Sequence, residues 1–351
     1  MRAMTDDQTC RAPTSDLPRA HGGPWIRGRF RTSPGDFQVD EELEVPEHPT
    51  GAHWWLRIRK TGLNTKDVVR ALAELSSARV RQVGYAGLKD RQAITTQWCS
   101  VPLENLDPES ITTRMPDGME LLEWRRARHA VRRGGLKANR FVIRLREVSG
   151  DLAGLEEAAH QLARGVPNYF GEQRFGRRGE NLVRARRLFD GTLTRVPRFE
   201  RGLYLSAARS WLFNLVLAER VRQGTWNQLL PGEAVMLDGS RSWFALDADP
   251  RALAGRLEDL DIHPSGPLVG LGEPGSQDDC AALEASALGS EPELVRGLEH
   301  WRLNAERRSL RLVPACLELN RSGQDLELAF SLPSGTYATS VLREIADLVR
   351  D

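Results

Sequence analysis

Residues 84–95, GYAGLKDRQAIT, hold the side chains with the clearest chemical potential. Asp90 stands there between Lys89 and Arg91, one carboxylate between two cations. Fixed positive charge favours the ionised carboxyl even when part of its water is removed. An anionic aspartate can attack as a nucleophile or take a proton as a base. The same residue can equally be a turn aspartate bonding its own backbone. Gly84 and Gly87 permit backbone angles that side chains forbid, so the expected path is strand, tight turn, exit. Residues 80–86 (VRQVGYA) have the β-branched and aromatic content of the strand leading in.

The elements that must hold this stretch are read from periodicity. Residues 29–42 (RFRTSPGDFQVDEE) carry a Pro-Gly turn and then alternation at Phe37 and Val39, a strand. In residues 54–59, Leu56 and Ile58 face one way and Arg57 and Arg59 the other, a second strand. Asn64 caps a helix with Asp67 in its first turn and Val68, Val69, Leu72 and Leu75 at helical spacing. Residues 102–117 read as a surface connection, 141–145 (FVIRL) as a strand and 151–163 as an amphipathic helix. Strands separated by helices without regular βαβ repetition predict an α+β fold. The second half is mostly helical, at 181–189, 206–222 and 292–308, with Gly and Pro punctuating 231–275. Residues 316–319 and 326–332 alternate around an Arg-Ser-Gly turn, a hairpin, and 337–349 closes with a helix.

With 351 residues there is room for two domains, each with its own core. No run approaches the roughly 18 apolar residues of a membrane span. Residues 1–23 lack the apolar core of a secretion signal and predict a flexible leader. Cys10, Cys99, Cys280 and Cys316 are far apart, and the seven histidines show no ligand spacing. These patterns predict neither a disulfide framework nor a metal site, and a cytoplasmic location.

The net charge of +1 conceals an uneven distribution. Residues 125–146 hold nine Lys or Arg and no acid, and 174–187 hold six arginines against Glu180 alone. Acid gathers in 273–306, with eight Asp or Glu against Arg296 and Arg302. Basic regions in an otherwise neutral protein are the electrostatic footprint of a polyanion, here RNA or DNA. Residues 166–176 (VPNYFGEQRFG) add Tyr169, Phe170 and Phe175 beside Asn168, Gln173 and Arg174. Such a loop either stacks on bases and grips phosphate or packs as a hinge.

GYAGLKDRQAITTQW, GGLKANRF, VPNYFGEQRFG, SAARSWLFN and LPSGTYATSVLRE occur here in that order. In this the chain resembles the tRNA pseudouridine synthase D (TruD) family over about residues 24–350. The resemblance implies isomerisation of uridine to pseudouridine in tRNA, at uridine 13 in the D arm of glutamate tRNA for bacterial members. It implies no cofactor, since no redox step occurs and no group is gained, and neither a membrane nor an obligatory protein partner. The family's catalytic aspartate falls on Asp90, its base-stacking aromatic on Phe141 and the asparagine of its GN-x-F pattern on Asn139, with Ala138 in the glycine's place. Its P-x-D-F-x-V-x-E strand is matched by Pro34, Asp36, Phe37, Val39 and Glu41, making Phe37 a second active-site aromatic. A lysine usual three residues before that proline is Arg31 here. Arginine keeps the charge but cannot release a proton: if the family's lysine only orients the carboxylate the change is tolerable, and if it transfers a proton Lys89 is the first alternative donor.

The implied architecture is a pseudouridine synthase core, residues 24–164 and 313–351, carrying an inserted, mainly helical domain at 165–312. Two other readings fit the residues: a non-catalytic RNA-binding protein of the same fold, and a glycosylase or glycoside hydrolase. Hydrolysis normally recruits a second carboxylate, and none stands out beside Asp90.

Overall fold

The computed structural model describes residues 14–45, 48 and 50–349. In chain order the elements begin with β1 (Ile26–Phe30), β2 (Phe37–Glu42), β3 (His53–Thr61) and α1 (Thr65–Leu75). Then come β4 (Gly84–Tyr85), β5 (Ile94–Pro102), α2 (Pro108–Thr112), β6 (Met119–Ala127) and β7 (Ala138–Gly150). The chain continues through α3 (Leu152–Ala163), β8 (Val166–Pro167), α4 (Glu180–Phe189) and α5 (Arg198–Arg222). Next are β9 (Ala234–Leu237), β10 (Trp243–Ala245), α6 (Ala254–Glu258) and β11 (Ile262–Leu268). After α7 (Asp278–Leu288) and α8 (Pro292–His300) come β12 (Glu306–Ser309) and β13 (Arg311–Leu312). The chain closes with β14 (Ala315–Ser322), β15 (Asp325–Pro333), α9 (Ala338–Ile345) and β16 (Ala346–Val349). Mixed sheet and helices make an α+β protein.

The chain divides into two compact units with borders at 159/160 and 313/314. The sheet unit, from residue 24 to 159 with 314–335 and the end of the chain from 345, is built on strands in the order β14-β15-β7-β2-β5-β3-β6. β1 adds to β7 and β16, and β4 adds to β5. The hairpin expected near the C-terminus is β14–β15, and β15 pairs along β7 from Leu326↔Leu145 to Pro333↔Ala138. Helix α1 opens with the expected capping box, the Asn64 amide donating to Asp67 Oδ2 at 2.8 Å. Its Val68, Val69 and Leu72 bury against Leu56 and Ile58 of β3 and Cys99 and Val101 of β5. Each such side chain contributes ~1.5–3 kcal/mol.

The helical unit, residues 160–313 with 336–344 and the described residues up to 23, centres on α5. Leu212, Phe213 and Leu217 of that helix are fully buried. Beside the helices the unit holds a four-stranded sheet, β10-β9-β11-β12.

Several expectations are corrected. Residues 14–23 are held by the helical unit: Leu17 is buried, and Arg343 Nη2 and Nη1 donate to the carbonyls of Leu17 (2.6 Å) and Pro18 (3.0 Å). The closing helix ends at Ile345 and the chain turns into β16, because Ala346–Val349 pairs in parallel with β1. The helix at 292 ends at His300, and the following residues pair as β12 with β11. The strand expected at 80–86 is a 3₁₀ turn, Val80–Gln82, with only Gly84–Tyr85 extended.

Candidate active site

A corner in the sheet unit sets the first site residue. β1 and β2 follow one another along the same edge of β7, Phe30 opposite Leu145 and Phe37 opposite Ile143. Between them Asp36 is buried. Arg146 Nε and Nη2 both donate to its Oδ1 at 2.9 and 2.7 Å, and the Ser33 amide donates to Oδ2 at 2.9 Å. Burial pushes this carboxyl up, but those bonds and the guanidinium charge outweigh it and hold it below the usual carboxylate range. The fixed corner leaves Arg31 at φ 62°, a left-handed conformation uncommon outside glycine. From there its guanidinium lies 4.1 Å from the centroid of the Phe37 ring, and Nη1 reaches Asp90 Oδ2 at 2.7 Å.

The loop carrying Asp90 is tied down from below. Lys60 continues the buried phase of β3 set by Leu56 and Ile58, so its ammonium ends beneath the loop with no exposure. Lys60 Nζ donates to the carbonyl oxygens of Asp90 (2.6 Å) and Leu63 (2.7 Å). Burial lowers its pKa to about 8, against the opposing pull of Asp90. The Lys89 amide donates to Thr65 Oγ1 in the first turn of α1 at 2.8 Å. The Gln92 amide donates to Asp90 Oδ1 at 3.1 Å, the turn bond expected of such an aspartate. The carboxylate is nonetheless 31% exposed, so a substrate can reach it.

The cations adjacent to Asp90 in sequence have other partners. Lys89 Nζ is buried 3.1 Å from Glu41 Oε1 and donates to Asn139 Oδ1, while Arg91 Nε donates to the Gly62 carbonyl at 3.0 Å. Burial raises the Glu41 carboxyl and lowers the Lys89 ammonium, and each opposes the shift of the other. The Trp98 amide holds Glu41 Oε2 at 2.9 Å. The carboxylate of Asp90 thus pairs with Arg31, not with its chain neighbours. The glycines also act differently from expectation. Neither Gly84 nor Gly87 has positive φ; a Cβ on Gly84 would lie 2.5 Å from Ser100 Oγ and Val131 O, and one on Gly87 meets nothing.

Sheet register gathers the remaining predicted residues on one face. Lys60 is opposite Thr95, Thr95 beside Val39, Val39 opposite Phe141 and Phe141 opposite Phe330. Two residue pairs further along, on the same face, Glu41 is opposite Asn139. Phe141 is only 8% exposed, stacked on Phe330 with centroids 5.6 Å apart and edge-on to Phe37 at 6.0 Å. Arg31, Phe37, Lys89, Asp90, Asn139 and Phe141 therefore form one connected group. Sequence reading did not single out Lys60. The signal was present, a lysine on the apolar phase of a strand in a chain with only four lysines.

The aromatic loop of the helical unit resolves towards packing. Tyr169, Phe170 and Phe175 are buried, and Asn168 bonds Ser309 O and Arg308. The basic runs, by contrast, stay at the surface: Arg128, Arg132, Arg133, Lys137 and Arg140 are exposed, as are Arg177, Arg178 and Arg187. Among the described residues no helix is long and apolar enough to cross a membrane.

Comparison with known proteins converges on one family. The model of tRNA pseudouridine synthase D (TruD) matches residues 20–186 and 179–345. The chain is 46% identical over 334 residues to tRNA pseudouridine synthase D of Methylococcus capsulatus, covering 95% of this chain and 94% of that one. It is 41% identical over 331 residues to the protein of the same name in Hydrogenovibrio crunogenus, covering 94% and 95%. A Methanosarcina mazei crystal structure bearing the TruD name superposes with a TM-score of 0.72 at 19% identity over 96% of each chain, a likeness of fold. On a family match spanning nearly its whole length, the chain belongs to the tRNA pseudouridine synthase D family.

Proposed function

We propose that this tRNA pseudouridine synthase acts on uridine 13 in the D arm of glutamate tRNA, in the cytoplasm and without a cofactor, with Asp90 as the group that meets the ribose. The observation that carries the reading is a carboxylate one-third exposed, with Arg31 Nη1 2.7 Å from Oδ2 and the main chain fixed by Lys60. Family membership makes the chain an enzyme, an isomerase. The sheet unit is the catalytic domain, and residues 165–312, the larger part of the helical unit, are its insertion.

Isomerisation breaks the bond from C1′ to N1 of the base and makes one from C1′ to C5. The C5 proton is lost and N1 gains one, so no group is added or removed. An Asp90 oxygen either attacks C1′ as the uracil anion leaves, or takes the C2′ proton to give a glycal. In both routes charge placed beside the developing sugar cation lowers the barrier. The Arg31 guanidinium supports this role by lying against the carboxylate on the Phe37 face. Lys89, bonded to Asn139, is the ionisable side chain assigned to pass a proton. Phe141 contributes the rim of an aromatic wall; stacking on an everted base offsets ~1–3 kcal/mol of the cost of turning it out.

Asp90→Asn is expected to abolish pseudouridine formation, mapped by carbodiimide modification of glutamate tRNA, with tRNA affinity nearly unchanged. Full turnover by that variant removes Asp90 from the reaction, and modification at another uridine removes the assigned target. Deuterium at C2′ slows the glycal route and leaves attack at C1′ almost unaffected, which separates the two.

A further inference from the structure

A pocket of about 470 Å³ opens in the sheet unit beside β4, the strand that precedes the Asp90 loop. Lys66 and Arg70 of α1, Arg81 of the 3₁₀ turn and Arg133 supply four cations to its wall, and no carboxylate lines it. The apolar part of the lining is Val69, Val83 and Val131, with Val80 also lining the pocket and 55% exposed. Tyr85 of β4 completes the wall, with the Arg133 guanidinium 5.0 Å from its ring centroid and bonded to its hydroxyl. Lys66, Arg70, Arg81 and Arg133 are all exposed. Arg70 pairs with Asp67 at 3.9 Å, a surface pair of the kind that contributes little.

We propose that this pocket binds one nucleotide of the RNA substrate other than the uridine presented to Asp90, its phosphate on the cations and its base against the valines. This rests on reading the chain as a tRNA-modifying enzyme. Four exposed cations around an apolar floor match a group that is anionic at one end and flat and apolar at the other, which is a nucleotide. An arginine plane packed on a tyrosine offers a further surface for a base. Only Arg133 of the four cations belongs to the basic runs seen in sequence; the other three are brought together by the packing of α1 and the 3₁₀ turn. β4 leads from the pocket into the loop, Tyr85 lying shortly before Asp90. RNA seated here is therefore anchored beside the element that delivers the carboxylate.

The test uses the full chain with Lys66→Ala/Arg81→Ala, both exposed positions, against Arg241→Ala/Arg251→Ala, two exposed arginines outside the pocket. Filter binding of unfractionated tRNA over a salt series is the readout. The pocket variant is expected to weaken binding about tenfold at low salt and to flatten the slope of log K against log salt by about 1–2, as lost phosphate contacts require. The control pair is expected to match the parent chain. Equal affinities and slopes for the two variants overturn the proposal. So does 5′-AMP binding that depends on Lys66 and Arg81 while tRNA binding does not, because the pocket then serves a free nucleotide. Pseudouridine formation is measured separately. A chain that binds tRNA through the pocket but forms none refutes the proposed activity and leaves the pocket standing; intact formation with pocket-insensitive binding refutes only the pocket.

Discussion

Asp90 is held at two points, one on its side chain and one on its main chain. The carboxylate faces Arg31, whereas the peptide oxygen of the same residue is gripped by a buried ammonium. With its pKa lowered to about 8 by burial, Lys60 sheds its proton in the folded chain before an unfolded lysine does at about 10.4. Between those values the unfolded chain binds more protons, so this group makes stability rise with pH across the window. The neutral amine is a weaker donor than the ammonium, so turnover is expected to fall as pH passes 8 even while stability from this residue increases. Lys60→Met should flatten the rise of Tm between pH 8 and 10 and remove that alkaline step in kcat. An alkaline step unchanged in the variant assigns it to another group. Residue type and position singled out Asp90 as a candidate, but did not reveal its counter-ion. Adjacent residues in a turn point different ways, and only the sheet could place Arg31 beside it.

Among the elements, the corner between β1 and β2 is the one on which Arg31 depends. Its buried Asp36 titrates below the usual range, so its contribution is complete above about pH 3.9 and is lost as pH falls through the folded value. Asp36→Asn is expected to lower Tm by a few degrees at pH 7, with the gap from the parent chain closing towards pH 2. A constant gap across that range would mean that shape rather than charge holds the corner. Elements with strong local signals were legible in advance: the Asn64–Asp67 cap of α1, the alternation of β3 and the β14–β15 hairpin. Those decided by distant partners were not. Ala346–Val349 continues a helical pattern, yet its parallel pairing with β1 makes it a strand. The 3₁₀ turn at Val80–Gln82 has strand-forming composition, but only Gly84 and Tyr85 find a partner strand, in β5.

For the whole molecule, residues 14–23 belong to a core. Leu17 packs with Tyr169, Phe170 and Trp226, Arg19 Nε donates to the Arg343 carbonyl at 2.6 Å, and the Ala20 amide donates to Glu344 Oε2 at 2.8 Å. Polar composition made this stretch look like a tail, since one buried leucine among prolines and charges carries no periodic signal. A chain beginning at residue 24 is expected to be less stable than one beginning at residue 14 by at least the ~1.5–3 kcal/mol of one buried leucine, measured by urea denaturation. Equal midpoints would show that the contacts of residues 14–23 contribute nothing net. The resemblance implied an insertion at 165–312, whereas residues 14–23 and 336–344 also belong to the helical unit; three strands of its four-stranded sheet lay in glycine- and proline-punctuated sequence and the fourth, β12, at the end of a helical pattern.

The grip of Lys60 falls on an atom that every amino acid possesses. Whatever side chain is installed at position 90, the carbonyl it hangs from stays moored at the same spot. An amide there should be a faithful inert copy of the working enzyme, able to hold its unreacted polynucleotide long enough for the complex to be crystallised.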